Sequence, residues 1–259
     1  MGRFGPAVSA TALLLVTACG GSGDGGLVEA ARGGGNDPAP ASSAAAHEPA
    51  APLSKQGVKQ ALLQESDFGY GWEVAPDEEP EGADEEDQSR SDDPECQRAF
   101  NGQRDLVSDG LPGNPVAMAN RSASKGDAYG AVEPAWVVGV LVMAYEDDSA
   151  ERLLASVAET ADACNGETTE TGDGRTSVIT KITVPERGDE SAGMRVAVQD
   201  GTLVVDTVLV REGANLSFLL VSGYSLSDDV QVEPDDQLAA QLLDKAATRL
   251  HDAVASEQG

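Results

Sequence analysis

Positively charged side chains are scarce in this chain. Of its 259 residues, 17 are lysine or arginine and 45 are aspartate or glutamate, so the net charge is −28. A surface this acidic repels a phosphate backbone, and the sequence therefore argues against nucleic acid as a partner. Aromatic residues are also few, at 4%, so we expect a core built mainly from leucine, valine, alanine and isoleucine.

Histidine is nearly absent, and so are the common catalytic motifs. The sequence has two histidines, His47 and His251. It contains neither the G-x-S-x-G motif of serine hydrolases nor the H-E-x-x-H motif of zinc proteases. Ser122 and Lys125 match the pattern S-x-x-K, but the S-D-N and K-T-G motifs that accompany it in β-lactamases are missing. We therefore predict a protein that is not an enzyme and that has no catalytic residue and no cofactor.

The sequence predicts no metal site either. The acidic segment that starts at Asp77 echoes the spacing of a calcium-binding EF-hand loop, with Gly82 at the sixth position. Its twelfth position is Gln88 instead of a bidentate glutamate, and Pro80 interrupts it. We expect this segment to be an exposed loop.

The N-terminal hydrophobic run is too short to cross a bilayer. Residues 1–18 contain one early basic residue, Arg3, and an apolar stretch over 7–16, whereas a transmembrane helix needs roughly 20 apolar residues. This pattern is typical of a secretory signal peptide. It predicts export from the cytoplasm and removal of residues 1–18.

The four residues Val16-Thr17-Ala18-Cys19 resemble a bacterial lipobox. The resemblance implies that Cys19 accepts a diacylglyceryl group and becomes the first residue of the mature protein. Two or more acyl chains anchor a protein stably, whereas one chain binds only marginally. We therefore predict lipid anchoring to the extracytoplasmic face of the cell membrane. The alternative is an ordinary secretory signal with an incidental cysteine.

Glycine, alanine, proline and serine dominate the segment after Cys19. We predict a disordered tether over residues 19–52, which would reach roughly 30 Å on average. The remainder, 53–259, has enough residues for one domain with its own core. The predicted organisation is thus signal peptide, lipidated cysteine and tether, then one extracytoplasmic domain.

The patterning within 53–259 predicts an α+β fold, a single domain with a largely antiparallel sheet and packed helices. Ser54 is a candidate N-cap for a first helix. Apolar residues recur at helical spacing over 150–161, and again after Pro234. Residues 136–145 are apolar on both faces, which indicates a central strand. Further strands are expected at 116–123, 177–184, 194–198, 203–210 and 216–222.

Three cysteines form an odd set in an exported protein. If Cys19 carries lipid, Cys96 and Cys164 remain as one pair in an oxidising compartment. The helical phase also turns Cys164 towards the core. The sequence therefore predicts a disulfide between Cys96 and Cys164.

Three of the few aromatic residues lie close together, in the segment from Phe68 through Tyr70 to Trp72. Two glycines between them break the preceding helix and permit a turn. We favour packing of all three rings onto the core over a ligand-binding cage.

The arrangement of several motifs resembles a known extracellular domain. Acidic residues after the strand over 136–145, an alanine-rich helix that ends Ala163-Cys164-Asn165-Gly166, and a later turn at 210–215 are similar to the sensor-type domain of a mycobacterial serine/threonine kinase (PknH-like) and of many actinobacterial lipoproteins. The segment 66–72 is similar to a leader in such lipoproteins. The resemblance implies an extracytoplasmic domain with a ligand-binding cleft, and it implies no catalytic residue.

Three functions remain open on these grounds. The first is a non-enzymatic ligand-binding or sensor-like domain, with the membrane contacted through the N-terminal lipid and an unknown small ligand as partner. The second is a lipid carrier, which requires an apolar cavity lined by leucine and valine. The third is an envelope scaffold that recruits a protein through its acidic surface.

Overall fold

The computed structural model describes residues 50–75, 90–108, 111–126, 133–170, 174–227 and 230–258. These residues form five helices: α1 (Lys55–Gln60), α2 (Glu65–Phe68), α3 (Pro94–Asp105), α4 (Ser149–Ala163) and α5 (Asp236–Gln258). The strands are β1 (Glu73–Val74), β2 (Arg90–Ser91), β3 (Val107–Ser108), β4 (Leu111–Pro112), β5 (Ala117–Lys125), β6 (Ala135–Ala144), β7 (Thr168–Glu170), β8 (Thr176–Lys181), β9 (Glu190–Val198), β10 (Leu203–Glu212) and β11 (Asn215–Tyr224).

Nine of these strands form one sheet in the order β1-β5-β6-β11-β10-β9-β8-β7-β2, and every neighbouring pair is antiparallel. The hairpins at Gly201 and Gly213 connect its long strands, and both glycines have a positive φ, 74° and 58°, which other residues rarely adopt. The predicted α+β fold with a largely antiparallel sheet is confirmed. The strand predicted to be central, β6, lies between β5 and β11.

Two local features differ from the prediction. The strand expected over 177–184 ends at Lys181, because the following chain folds over Gly193. A Cβ on Gly193 would lie 2.5 Å from Val184 Cγ2, so only glycine leaves room for this exit.

Helix α3 has no counterpart in the prediction. Its sequence is polar overall, with Cys96, Ala99 and Phe100 as its few apolar residues, so it gives little hydrophobic signal. Its start is nevertheless encoded locally, since Asp93 Oδ1 accepts hydrogen bonds from the N–H groups of Glu95 and Cys96, at 2.9 and 2.8 Å. An aspartate followed by proline is a typical helix N-terminus.

Candidate functional site

The two faces of the sheet are covered by different helices. On the first face, α1 and α5 pack over β5, β6, β10 and β11. On the second face, α4 packs over β8, β9 and β10, and α3 packs mainly against α4. A face with helices along its full width is a core, whereas a partly covered face leaves side chains for other contacts.

A disulfide holds the two helices of the second face together. Cys96 lies in the first turn of α3 and Cys164 directly follows α4, and both are fully buried. Their sulfur atoms are 2.06 Å apart, so the predicted pairing is present. The bond lies beside Ile179 and Met194 of the sheet, and it fixes the position of α3 relative to the second face.

Beyond α4, the second face carries a patch that we call the sheet floor. Strand register places Ser122, Gly139, Leu220 and Thr207 side by side in one row across β5, β6, β11 and β10. The next row holds Ser124, Val137, Ser222 and Val205. Small hydroxyl side chains and aliphatic side chains are thus interspersed across the four strands.

The sheet floor is accessible in part and carries no charge. Ser122, Val137 and Ser222 are half-buried and Ser124 is exposed, while Leu220 and Val205 retain 8% exposure each. None of the eight side chains is ionisable, although the protein carries a net charge of −28. Gly139 leaves a depression in the centre, because a Cβ there would have Leu220 Cβ as its nearest neighbour at 3.9 Å.

An unsatisfied acceptor borders the sheet floor. Asn120 lies on the same face of β5, two residues before Ser122, and its buried Oδ1 has no hydrogen-bond partner among the described residues. A buried acceptor without a partner costs about 1–3 kcal/mol. The sheet floor can therefore make apolar contacts with a ligand and hydrogen bonds through several hydroxyl groups. A donor on the ligand would also supply the hydrogen bond that Asn120 Oδ1 lacks.

A separate cavity of about 410 Å³ lies beside the C-terminal half of α4. Its lining is formed by Ala158, Ala161, Asn165, Lys181, Ile182, Thr183, Val184, Ser191, Ala192 and Gly193. These residues include one valine and no leucine, and Asn165, Lys181, Thr183 and Ser191 are polar. The cavity therefore lacks the leucine and valine lining that a lipid carrier requires.

The first described residues contact the domain at the turn between β10 and β11. Asn215 is fully buried, and its side chain binds the chain at two points, accepting from Leu53 N–H at 2.7 Å and donating to the Ala51 carbonyl at 2.9 Å. Ala214 N–H also donates to the Ala50 carbonyl at 3.0 Å. The row of Ser222 lies seven residues further along β11, about 20 Å away along the strand, so the sheet floor occupies the end of the sheet remote from the tether.

The covered face contains a buried ion pair that is part of the packing. Arg195 on β9 donates to both carboxylate oxygens of its cross-strand neighbour Asp206, at 2.6 and 2.7 Å, and also to Asp236 at the start of α5. The hydrogen bond with Asp206 is the main reason that the pKa of Arg195 lies above its ordinary value. The pair connects α5 to the sheet and compensates a carboxylate that is 3% exposed.

The ionisable groups singled out in the sequence lie apart from one another within the described ranges. His251 is exposed and contacts Glu212 at 2.9 Å. Ser122 and Lys125 are three residues apart on a strand, so their side chains point to opposite faces of the sheet and do not meet. Burial raises the pKa of the Tyr145 phenol, as does the nearby Asp147, and the hydroxyl bonds Met143 Sδ at 3.0 Å.

Other sequence-based predictions concern the rest of the chain. Cys19, His47 and the acidic segment 77–88 lie outside the described residues. Within the described ranges, no group of three metal-binding side chains comes together. A helix long and apolar enough to span a bilayer is likewise not found in that part of the chain.

Sequence reasoning did not identify the sheet floor. Its residues are spread over four strands between positions 122 and 222, and their serines and valines are unremarkable in strand sequences. A signal was present in the alternation of serine with alanine in β5 and in Gly139 within the most apolar strand. Only strand pairing shows that these positions are neighbours.

No protein-family model and no curated protein matches the chain. Solved structures that resemble it include the extracellular domain of PknH from Mycobacterium tuberculosis, which is 15% identical with a TM-score of 0.47 and covers 77% of this chain and 99% of that one. Another is an uncharacterized protein from Mycobacterium smegmatis, 14% identical with a TM-score of 0.44, covering 76% of this chain and 97% of that one. Values this low do not establish a shared ligand or function.

Proposed function

We propose that the protein is a lipid-anchored, non-enzymatic domain that binds a small ligand on the extracytoplasmic side of the cell membrane. The sheet floor carries this proposal, because it is an uncharged, partly exposed surface next to an acceptor that lacks a partner. The ligand has one apolar side and at least one hydrogen-bond donor. The sheet floor lies at the end of the sheet remote from Ala50, so a ligand bound there is away from the anchored end of the domain.

A blocking substitution tests ligand binding. Gly139→Phe places a ring in the depression of the sheet floor without a steric conflict at Cβ. With the neutral dye N-phenyl-1-naphthylamine as probe, which has an apolar body and one N–H donor, we expect saturable emission enhancement by the unaltered domain and binding about tenfold weaker, or about 1.4 kcal/mol, in the variant. The matched control is Gly102→Phe in α3, where an added Cβ meets nothing within 4 Å. Equal dye binding in all three proteins would contradict the assignment of the floor.

A separate experiment tests the anchor. Cys19→Ala removes the thiol that the lipobox resemblance marks for acylation, and globomycin inhibits the lipoprotein signal peptidase that acts next to it. We expect the protein to move from the membrane fraction to the soluble fraction after the substitution, and its unprocessed precursor to accumulate with the inhibitor. Membrane partition that is unchanged in both experiments would disprove lipid anchoring.

The two other functions make different predictions. A lipid carrier would retain lipid through purification, which native mass spectrometry would show as a mass increase of one lipid. A scaffold would capture a protein partner through its acidic surface, and that interaction would weaken as salt is raised. The neutral character of the sheet floor favours a small ligand, since contacts there do not depend on the net charge.

A further inference from the structure

Four side chains at one edge of the covered face are not used by the proposed function. Cross-strand pairing places Lys125 on β5 opposite Trp136 on β6. On the other side, β1 pairs Glu73 with Ser124, so the preceding residue, Trp72, lies opposite Lys125. The two tryptophans therefore lie on either side of one lysine on the same face of the sheet, with their backbones about two strand spacings or 10 Å apart.

Both indoles are held in place from behind and are partly open to solvent. Trp72 packs against the buried ring of Phe68, with ring centroids 5.9 Å apart. Trp136 lies against Gly223, where a Cβ would come within 2.9 Å of the indole ring. Both tryptophans remain half-buried at the margin of the core, so each presents an aromatic surface that is already ordered.

Tyr70, two residues before Trp72, has a fully exposed ring. The turn at Gly69 and Gly71, with φ of 84° and 86°, projects its side chain outward, and its exposure is 101%. The expectation that all three rings of this segment pack on the core is therefore wrong for Tyr70. An exposed tyrosine two residues from Trp72 is unexplained by packing, in a protein where aromatics make up only 4%.

Lys125 is exposed, and its ammonium group has no partner among the described residues. Several other cations of this acidic protein are paired with carboxylates, including Arg195, Arg211 and Arg249. A free ammonium between two indoles repels a cationic ligand and attracts an anionic one. The protein's net charge of −28 would repel a polyanion. A small molecule with one carboxylate is therefore the more suitable ligand for Lys125.

We propose that Tyr70, Trp72, Lys125 and Trp136 form a second binding site, for a saccharide that carries a carboxylate. The C–H side of a pyranose ring is apolar and flat enough to stack on an indole, while its hydroxyl groups stay in water. Two tryptophans whose backbones are about 10 Å apart suit neighbouring sugar units, and Lys125 lies on the strand between them to bind the carboxylate by charge-assisted hydrogen bonds. This site is on the opposite face of the sheet from the sheet floor and does not depend on it.

Intrinsic fluorescence reads this site directly, because the chain has two tryptophans and both flank Lys125. The probes are two matched pairs of disaccharides, cellobiouronic acid against cellobiose and N-acetylglucosaminyl-N-acetylmuramic acid against N,N′-diacetylchitobiose. We expect a saturable fluorescence change with at least one acidic member, and binding of its neutral counterpart about tenfold weaker. Lys125→Gln should abolish that difference, and the matched control Lys59→Gln, at an exposed lysine of α1, should preserve it.

Two further variants separate this site from folding effects and from the sheet floor. Tyr70→Ala alters a fully exposed side chain, so it should weaken saccharide binding a few-fold without changing the unfolding midpoint. Gly139→Phe should leave saccharide binding unchanged. No saturable change with either acidic disaccharide overturns the proposal, as does equal affinity for acidic and neutral members or a difference that survives Lys125→Gln.

Discussion

The two faces of the sheet share the same strands but gain their stability in different ways. On the covered face, α1 and α5 bury aliphatic side chains from four strands in one continuous cluster. On the second face, the contacts concentrate under α4, and a disulfide joins α3 to α4. The comparison shows that packing alone holds the helices of the covered face, whereas the second face combines packing under α4 with a covalent bond.

Removing the disulfide should have the largest effect. The bond joins residues 68 positions apart, and the chain-entropy relation gives up to about 4 kcal/mol for a loop of this size. We expect Cys96→Ser with Cys164→Ser to lower the free energy of unfolding by up to that amount in urea titrations. Tryptophan fluorescence should stay native-like before the transition, because Trp72 and Trp136 lie on the covered face.

Thiol counting provides the control for that experiment. The denatured, unreduced mature domain should contain no free thiol, since Cys96 and Cys164 are paired and Cys19 would be acylated. One or two reactive thiols, or an unfolding midpoint that the double substitution leaves unchanged, would contradict the role assigned to the disulfide on the second face.

Two neighbouring leucines on β11 allow the packing of the two faces to be compared, because their side chains point to opposite faces. Leu219 is 1% exposed within the covered cluster, and Leu220 is 8% exposed on the sheet floor. We expect Leu219→Ala to cost about 3 kcal/mol, since it leaves a cavity between sheet and helices. Leu220→Ala should cost about 1 kcal/mol and should weaken binding of the dye probe. Equal losses in urea titrations would show that the second face is as tightly packed as the first.

Asn215→Ala tests the attachment of the tether. The substitution removes the bonds to Leu53 N–H and the Ala51 carbonyl and leaves a buried N–H without an acceptor. We expect a loss of about 2 kcal/mol, together with faster proteolysis within residues 50–54. The exposed Gln241 of α5 offers a control, and Gln241→Ala should change neither measurement. Proteolysis at the unaltered rate would contradict the role of Asn215.

The smallest expected effect concerns pH at the same end of the domain. Glu257 accepts hydrogen bonds from the Ser54 hydroxyl and N–H, at 2.5 and 2.9 Å, and these bonds lower the pKa of its carboxyl group below the ordinary 4.5. A lowered pKa in the folded state means that the stabilisation is present above pH 4.5 and is lost as the pH falls through the folded-state value. Glu257→Gln should therefore be slightly less stable at neutral pH, and the difference should vanish in acid. A difference that grows in acid would have the wrong sign.

Local patterns were sufficient to predict much of the fold. The apolar stripe of α4, the strand β6 and the turn at Gly213 each follow from residues close in sequence, whose side-chain spacing or backbone freedom permits few alternatives. The pairing of Cys96 with Cys164 followed from counting cysteines in an exported chain. Helix α3 was missed because its sequence is polar overall, with Cys96, Ala99 and Phe100 as its few apolar residues, even though Asp93 and Pro94 mark its start.

The sequence by itself determined the class of fold, the disulfide and the expectation of export and anchoring, because each depends on short motifs or on simple periodicity. The tertiary structure alone decided which side chains become neighbours on each face of the sheet. The sheet floor and the row of Trp72, Lys125 and Trp136 both arise from strand pairing between segments far apart in the chain. Register and helix placement are set by the packing of the whole domain, and a one-residue shift would move every one of these side chains to the other face.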